Sequence, residues 1–370
     1  MLTQNSLHKT LLDQALDAQR AVWVEYDDLR YIRFVDDYKG VSRGTAVFDD
    51  KAIFGYPSIG RVLSLKSGLH SQFEAPFWVE EKVDGFNVRV FHLNNRVLAL
   101  SRGGFICPFT TDRVHDLLDT NIFNHEPDMV LCAEVAGPDN PYMDGGVPYI
   151  NDDVKMFVFD ISRVNHIGFA AYNDKDAHIS RHQLPAVTRF GRFQADDVQR
   201  ISEILLQLNN ENREGVIFKE DSPRDYRAKH TTSNIDIVDI AAGSFTLFDL
   251  PPEYFKNRLT RLVLFMDEQG IANTDELRQR LGAAYLDGLF DAVRQVRQHH
   301  KVSRSFRCRF RQRQNAIKLL DRLSEIGNHV QIILRELKEE DGYWLLEFDK
   351  VFAKTSGALS NLLKGGLLFD

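Results

Sequence analysis

Glu80-Glu81-Lys82-Val83-Asp84-Gly85-Phe86-Asn87-Val88-Arg89 is the stretch on which the reading of this chain turns. An apolar, β-prone run, Pro76-Phe77-Trp78-Val79, leads into it, and Val88-Arg89-Val90-Phe91 leads out. The pattern predicts strand, tight turn, strand, with Lys82 at the end of the first strand. A lysine held on a rigid element at a pocket rim can act as a nucleophile once its amine sheds its proton. The ordinary pKa of ~10.4 must then fall, through desolvation or nearby positive charge. A Lys-x-Asp-Gly by itself is more often a surface lysine beside a turn, so the rest of the chain has to decide.

With 370 residues the chain exceeds one ordinary core and predicts two or three domains. A composition of 43% hydrophobic and 27% charged residues is that of a folded protein. A formal charge of −7 excludes a globally basic nucleic-acid binder and leaves that role to local patches. Cys107, Cys132 and Cys308 are odd in number and widely spaced, which suits a reducing, cytoplasmic setting. No structural zinc site is expected. No apolar run approaches ~18 residues, and Met1-Leu2-Thr3-Gln4-Asn5 lacks a signal pattern.

Upstream of the lysine, Leu7, Leu11, Leu12, Ala15 and Leu16 predict an amphipathic helix over 6–20. Short β-type runs follow at Ala21–Val24, Tyr31–Val35, Thr45–Phe48 and Arg61–Leu65. Downstream, Val88–His92 and Val97–Ser101 form a hairpin that runs into Ser101-Arg102-Gly103-Gly104, whose glycines let backbone approach a ligand. A helix is expected over Thr111–Asp119, capped by Thr110 or Thr111. Met129–Gly137 reads as a buried strand carrying one acid, Glu134, costly to bury unless paired or metal-bound. Val154–Ile161 is a further strand with Phe157 and Phe159 on one face. A short helix from Ser180, a helix over Ala195–Leu208 and a strand over Glu214–Lys219 come next. Arg227 and Lys229, two apart, share a face of an extended strand.

Leu250-Pro251-Pro252 marks a domain break, beyond which helices are expected over Pro252–Asp267, Thr274–Gln298 and Arg311–Ile326. A final β-β-α unit covers Val330–Leu337, Tyr343–Phe348 and Ser356–Leu363. The stretch Arg294–Arg313 holds eight Lys/Arg and no acid. Within it Arg307, Arg309 and Arg311 alternate with Phe306, Cys308 and Phe310, a strand with one basic face. An RNA-phosphate surface and a charge-paired subunit interface fit that face equally.

Taken in order, Lys82-x-Asp84-Gly85, Ser101–Gly104, Glu134, Phe157–Ile161, Glu214-Gly215 with Lys219, and Arg227-x-Lys229 resemble the motif set of the covalent nucleotidyltransferases. That superfamily comprises DNA ligases, RNA ligases and mRNA capping enzymes. Each motif is weak alone; the ordered set is specific. Asn87 five residues after the lysine, a β-rich module before the set and helices after it, and no downstream Arg-x-Asp-Lys make the chain most similar to ATP-dependent RNA ligases of the homodimeric archaeal type. The resemblance implies an α+β fold: a nucleotidyltransferase (adenylation) domain of antiparallel sheets flanked by helices, an N-terminal β-rich module and a mainly helical C-terminal region. The implied segments are 1–75, 76–249, 250–327 for dimerisation and 328–370.

The implied enzyme uses ATP and Mg²⁺ or Mn²⁺ to join RNA 5′-phosphate and 3′-OH ends, including circularisation of single-stranded RNA. It passes through lysyl-AMP and adenylated RNA. Lys82 would be the nucleophile, with Lys229 and Arg227 around the α-phosphate. Glu214 would serve the metal, Glu134 the ribose and secondarily the metal. Asn87, Arg102 and Lys219 would complete the ATP pocket, and Phe157 is favoured over Phe159 for stacking on adenine. Arg227 departs from the usual lysine, and an arginine binds phosphate as a fork. Arg307, Arg309 and Arg311 are RNA-binding candidates. The expected partners are single-stranded RNA and a second copy of the chain, without a membrane. The rival readings are a DNA ligase or capping-type enzyme, and a non-catalytic, nucleotide-gated RNA-binding protein.

Overall fold

Alternating and helical apolar patterns resolve, in a computed structural model describing residues 3–4, 7–143, 147–326 and 330–368, into antiparallel sheets and helices. The chain forms two compact units that interleave along the sequence: residues 1–60, 83–189 and 220–227, and residues 61–82, 190–219 and 228–370. Among the described residues no helix is long and apolar enough to cross a membrane.

The first unit is built on a four-stranded sheet in the order Lys155–Arg163, Met129–Ala136, Phe86–Leu93, Arg96–Ser101. A second sheet runs Ala21–Tyr26, Leu29–Phe34, Ala46–Phe48, Lys51–Ile53. Their apolar faces share a core in which the rings of Tyr31 and Phe48 stack at 4.6 Å and Phe48 meets Phe91 at 5.5 Å. The N-terminal helix, Lys9–Asp17, is shorter than expected and lays Leu11, Leu12 and Leu16 on Ile32, Phe34 and Val47. The helix after the hairpin spans Pro108–Leu117 and is capped by neither threonine. The Cys107 sulfur accepts from the Thr110 N–H at 3.3 Å, with proline at the first helical turn. The helix expected from Ser180 is Tyr172–His182, with Asp174 in its first turn and Arg181 and His182 in its last, the order that suits the helix dipole.

The second unit holds a five-stranded sheet ordered Arg189–Phe193, Phe77–Lys82, Gly215–Glu220, Arg227–Thr231, Gly60–Arg61. Phe77 packs against Phe73 and Phe218 beneath it. The strand expected over Arg61–Leu65 stops at Arg61, and Leu65–Gln72 is a helix instead. The reason is tertiary: the Glu268 carboxylate accepts from the Leu65 and Lys66 N–H groups at 2.5 and 3.0 Å, supplying the cap that the side chain of Ser64, at the N-cap position, does not make. Helices Ser233–Phe245, Glu253–Glu268 and Asp275–His299 bury Ile237, Ile240, Leu262, Met266 and Ala284 together. Pro251 and Pro252 separate two of these helices within one unit.

A three-stranded antiparallel sheet, Ser303–Phe310, Tyr343–Phe352, Val330–Glu340, completes that unit. The alternating part of the basic stretch is a strand, but it ends at Phe310 and leaves Arg311 just beyond it, while Arg294 and Arg297 belong to the helix Asp275–His299. Phe306, Cys308 and Phe310 are buried, whereas Arg307 is exposed and stands opposite Glu347. The fold is α+β, with helices on antiparallel sheets.

Candidate active site

Lys82 closes the strand Phe77–Lys82, as its sequence context predicts. Its ammonium donates to Glu214 Oε2 at 2.5 Å, both side chains being largely shielded from solvent. Glu214 sits just before the strand Gly215–Glu220, and Gly215 explains how it gets there. Gly215 has φ +146°, and a Cβ there would lie 2.1 Å from the His230 carbonyl oxygen. The acid is therefore delivered by a backbone conformation that only glycine supplies at this spacing. Two residues back along the lysine strand, Glu80 pairs with Lys219 at 2.6 Å, and both side chains are about 5% exposed or less. Glu81, on the opposite face, is paired with Arg213. Lys229 is half-buried, and its carbonyl accepts from the Val62 N–H at 2.9 Å.

In the first unit, sheet register assembles a row that the sequence separates by some seventy residues. Glu134 is directly opposite Asn87 on one neighbouring strand and Phe157 on the other. Paired residues in adjacent strands project to the same face, so the three side chains stand side by side. A register shift between Cys132 and Ala133 precedes the row, an irregularity of the kind that re-aims side chains next to sites. Asn87 Oδ1 is buried and accepts no hydrogen bond, a cost that a bound polar ligand would remove. Gly85 lets the turn close on this row: a Cβ there would sit 2.6 Å from the Val135 carbonyl oxygen and 2.8 Å from Glu134 Cγ. Phe157 packs beside Val83, Ala136, Val147 and Ile150, while Phe159 turns its ring edge to Tyr56 at 5.2 Å.

Two arginines are committed elsewhere. Arg89, fully buried, donates to the carbonyls of Phe54, Gly44 and Ser101 at 2.7–2.9 Å, pinning the turn that presents Arg102. Desolvation lowers its pKa to about 10, which leaves it charged at neutral pH. Arg227 is also buried, and its guanidinium is divided among Asp160, the Tyr56 hydroxyl at 2.8 Å and Asp225 at 3.0 Å. Its cation lies 4.0 Å from the Phe169 ring centroid. A cavity of about 460 Å³ adjoins this network within the same unit, lined in part by Ser42, Ser58, Phe169, Arg224 and Arg227. Arg102 is exposed and reaches Ser58 Oγ at 3.4 Å.

Comparison with known proteins identifies the regions around Lys82. The RNA ligase family model matches residues 75–232, and the model described as the ligase Pab1020 C-terminal region matches residues 243–366. An archaeal ATP-dependent RNA ligase superposes with a TM-score of 0.87 at 26% identity, covering 97% of this chain and 96% of that one. The chain belongs to the RNA ligase family, of the archaeal ATP-dependent type.

A structure from Aquifex aeolicus described as a candidate ATP-dependent DNA ligase is 49% identical to this ligase, with a TM-score of 0.94 over 98% of this chain and 100% of that chain. An uncharacterized protein of Methanocaldococcus jannaschii is 26% identical over 359 residues, 93% of the ligase and 90% of its own length. The RNA ligase match spans Lys82, Asn87, Arg102, Glu134, Phe157, Glu214, Lys219, Arg227 and Lys229. The ligase brings Lys82 and Glu214 into contact, and aligns Asn87, Glu134 and Phe157 in one row. Lys219 and Arg227 carry partners that the sequence did not reveal. Arg89 and Tyr56 were missed. Arg89 stands in the opening motif itself, but nothing local signals that its cation turns inward to three backbone carbonyls.

Proposed function

We propose that this ligase seals RNA ends with ATP through an adenylated Lys82. The observation that carries the reading is the Lys82–Glu214 contact at the end of a rigid strand. The row Asn87–Glu134–Phe157, with its unpartnered amide oxygen, supports it. In the first step the Lys82 Nζ lone pair forms a bond to the α-phosphorus, the bond to the β-phosphate oxygen breaks, and pyrophosphate leaves as the amine loses its proton. A 5′-phosphate oxygen of RNA then attacks the same phosphorus, breaking the N–P bond and restoring the amine. Finally the 3′-OH attacks the activated 5′-phosphorus and AMP departs. Such phosphoryl transfers depend on positioning and charge neutralisation.

Within this reading Glu214 holds the Lys82 amine toward the phosphate, and Lys229 supplies positive charge there. Phe157, in line with Glu134, is better placed than Phe159 to stack on adenine while Glu134 receives the ribose. Arg102, at the tip of its pinned turn, reaches for ribose or phosphate. Arg227 and Lys219 act by holding their strands rather than as free phosphate ligands. Glu214 and Glu134 offer the hard oxygen donors that suit Mg²⁺ or Mn²⁺, which when bound neutralises phosphate charge.

The basic strand with Arg307 and Arg309, together with Arg311 just beyond its end, is assigned to single-stranded RNA carrying 5′-phosphate and 3′-OH ends, joined within one molecule or between two. A homodimer is proposed through the helical segment 250–327, where Leu286 and Phe290, four apart on one helix, are 53% and 65% exposed and Val263 is 58% exposed. The segments 1–75, 76–249 and 328–370 keep the roles proposed for the N-terminal, adenylation and C-terminal parts. Cys107, Cys132 and Cys308 are all buried and form no disulfide, in keeping with a cytoplasmic setting.

Purified protein incubated with α-labelled ATP should carry label on a denaturing gel, and Lys82→Ala should not. Label retained by Lys82→Ala would overturn the assignment. The 49%-identical relative is described as a candidate DNA ligase, so DNA sealing is the reading to test against. A 5′-phosphorylated single-stranded RNA and a nicked DNA duplex offered in parallel separate the two, with the RNA expected to be joined faster.

A further inference from the structure

We propose that Glu126, His178 and His182 form a zinc-class metal site that clips the helix Tyr172–His182 to the entry of the Glu134 strand. His178 and His182 are four apart on that helix and therefore share a face. Glu126 follows the short helix Ile122–His125 and precedes the strand Met129–Ala136 by a few residues. One donor atom from each of the three lies within 4.8 Å of the others. Glu126 Oε1 stands 2.9 Å from His178 Nδ1 and 3.1 Å from His182 Nε2. Tetrahedral zinc, with bonds of about 2.0–2.1 Å, holds its ligand atoms roughly 3.3 Å apart. The spacing is close to that separation, and all three side chains are largely shielded from solvent.

A second observation sets this group apart from an ordinary ion-pair cluster. His178 Nδ1 is buried and makes no hydrogen bond, although the carboxylate oxygen is only 2.9 Å away. The two atoms are near each other without the alignment a shared proton requires, and that is how two ligands of one ion are disposed. Arg163 holds the other oxygen, Glu126 Oε2, at 3.0 Å. It thereby orients the carboxylate as outer partners orient metal ligands, leaving Oε1 directed at the histidines. Two imidazoles and one carboxylate are a borderline donor set that suits Zn²⁺, unlike the all-oxygen sets preferred by Mg²⁺.

The structural consequence follows from what each ligand is attached to. The helix Tyr172–His182 is already tied to the strand Lys155–Arg163, where Lys175 Nζ donates to the Phe159 carbonyl at 3.1 Å. A metal at Glu126 adds a tie to the adjoining strand, so both strands that carry the Glu134–Phe157 pair are anchored to one helix. The expectation of no structural zinc site rested on there being no Cys-x-x-Cys or His-x-x-x-His pair, and His178 and His182 are such a His-x-x-x-His pair.

The test uses the full-length, untagged chain stripped with chelator, without nucleotide and with Mg²⁺ in excess. Zn²⁺ titrated calorimetrically should bind at a single equivalent that survives desalting and raises the thermal midpoint, and Co²⁺ should give the visible absorption of a tetrahedral site. His178→Ala and His182→Ala should abolish retention, and Glu126→Gln should weaken it about tenfold or more. If the alanine variants do not fold by circular dichroism, His178→Gln and His182→Gln carry the same comparison. Zn²⁺ lost on desalting from the unaltered chain, or retained equally by the variants, overturns the site and leaves an ion-paired histidine cluster. Because the readout is metal retention and stability, the result is independent of whether Lys82 forms an adduct.

Discussion

Lys219→Ala isolates a question that the buried pair with Glu80 poses directly. The two groups are 2.6 Å apart and almost wholly excluded from solvent, so removing the cation takes its ion-pair partner from a carboxylate buried in the sheet that carries Lys82. Breaking a buried pair from one side costs about 3–5 kcal/mol, because the remaining charge keeps its desolvation penalty and loses its compensation. For a unit of this size each kcal/mol is worth about 2–4 °C, so the thermal midpoint should fall by roughly 6–20 °C. The double variant Glu80→Gln, Lys219→Met removes both charges while keeping the volume, and should recover most of that loss. Adduct formation with α-labelled ATP, measured on the same three proteins below their melting ranges, then separates the roles. If Lys219 acts by holding its strand, the double variant regains adduct formation with its stability; if it touches phosphate, the activity stays lost. A drop of less than about 2 °C for Lys219→Ala would refute the buried-pair reasoning itself.

Gly85→Ala should cost about 1–3 kcal/mol, since its Cβ would meet the Val135 carbonyl and Glu134 Cγ well inside contact distance. The row it displaces should lower adduct formation about tenfold; an unchanged rate in the labelling assay would contradict that placement. Replacing Arg307, Arg309 and Arg311 together should weaken RNA joining, and its salt dependence, more than self-adenylylation. Unchanged joining with a shift from dimer to monomer in light scattering would assign the face to subunit contact. Burial holds the His230 imidazole below its ordinary pKa, despite the 2.8 Å contact with the Val62 carbonyl. The unfolded chain therefore takes up a proton that the fold excludes, so stability is full above about pH 6.5 and falls as pH drops below it, by at most about 1.4 kcal/mol per unit. Between about pH 7 and about pH 5.5 the thermal midpoint should fall less steeply for His230→Gln; equal slopes would remove this residue from the acid response.

Much of this ligase was legible before its fold. The strand–turn–strand about Lys82, the hairpin after it and the acid-bearing strand Met129–Ala136 follow from short apolar, β-prone runs with turn residues at the ends, and the basic strand Ser303–Phe310 from period-2 alternation. What failed failed for identifiable reasons. The run after Gly60 has a strand-like texture, yet Leu65–Gln72 is helical because Glu268, two hundred residues on, caps it. The helix Tyr172–His182 is too polar for apolar spacing to announce it far from its C-terminal turn.

The sequence by itself determined the chemistry on offer: one lysine at a strand end, two glutamates, an asparagine at the ligase spacing, and glycines where backbone must come close. These are local facts, carried by residue type and short-range pattern. Only the tertiary structure decided which charges are spoken for. Lys82 meets Glu214, Lys219 is committed to Glu80, and Arg227 to Asp160 and Asp225. Asn87, Glu134 and Phe157 fall into one row because of strand register. Ion pairing and register depend on which distant segments the core brings together, and a charged side chain's partner, unlike its charge, is not written in its neighbours.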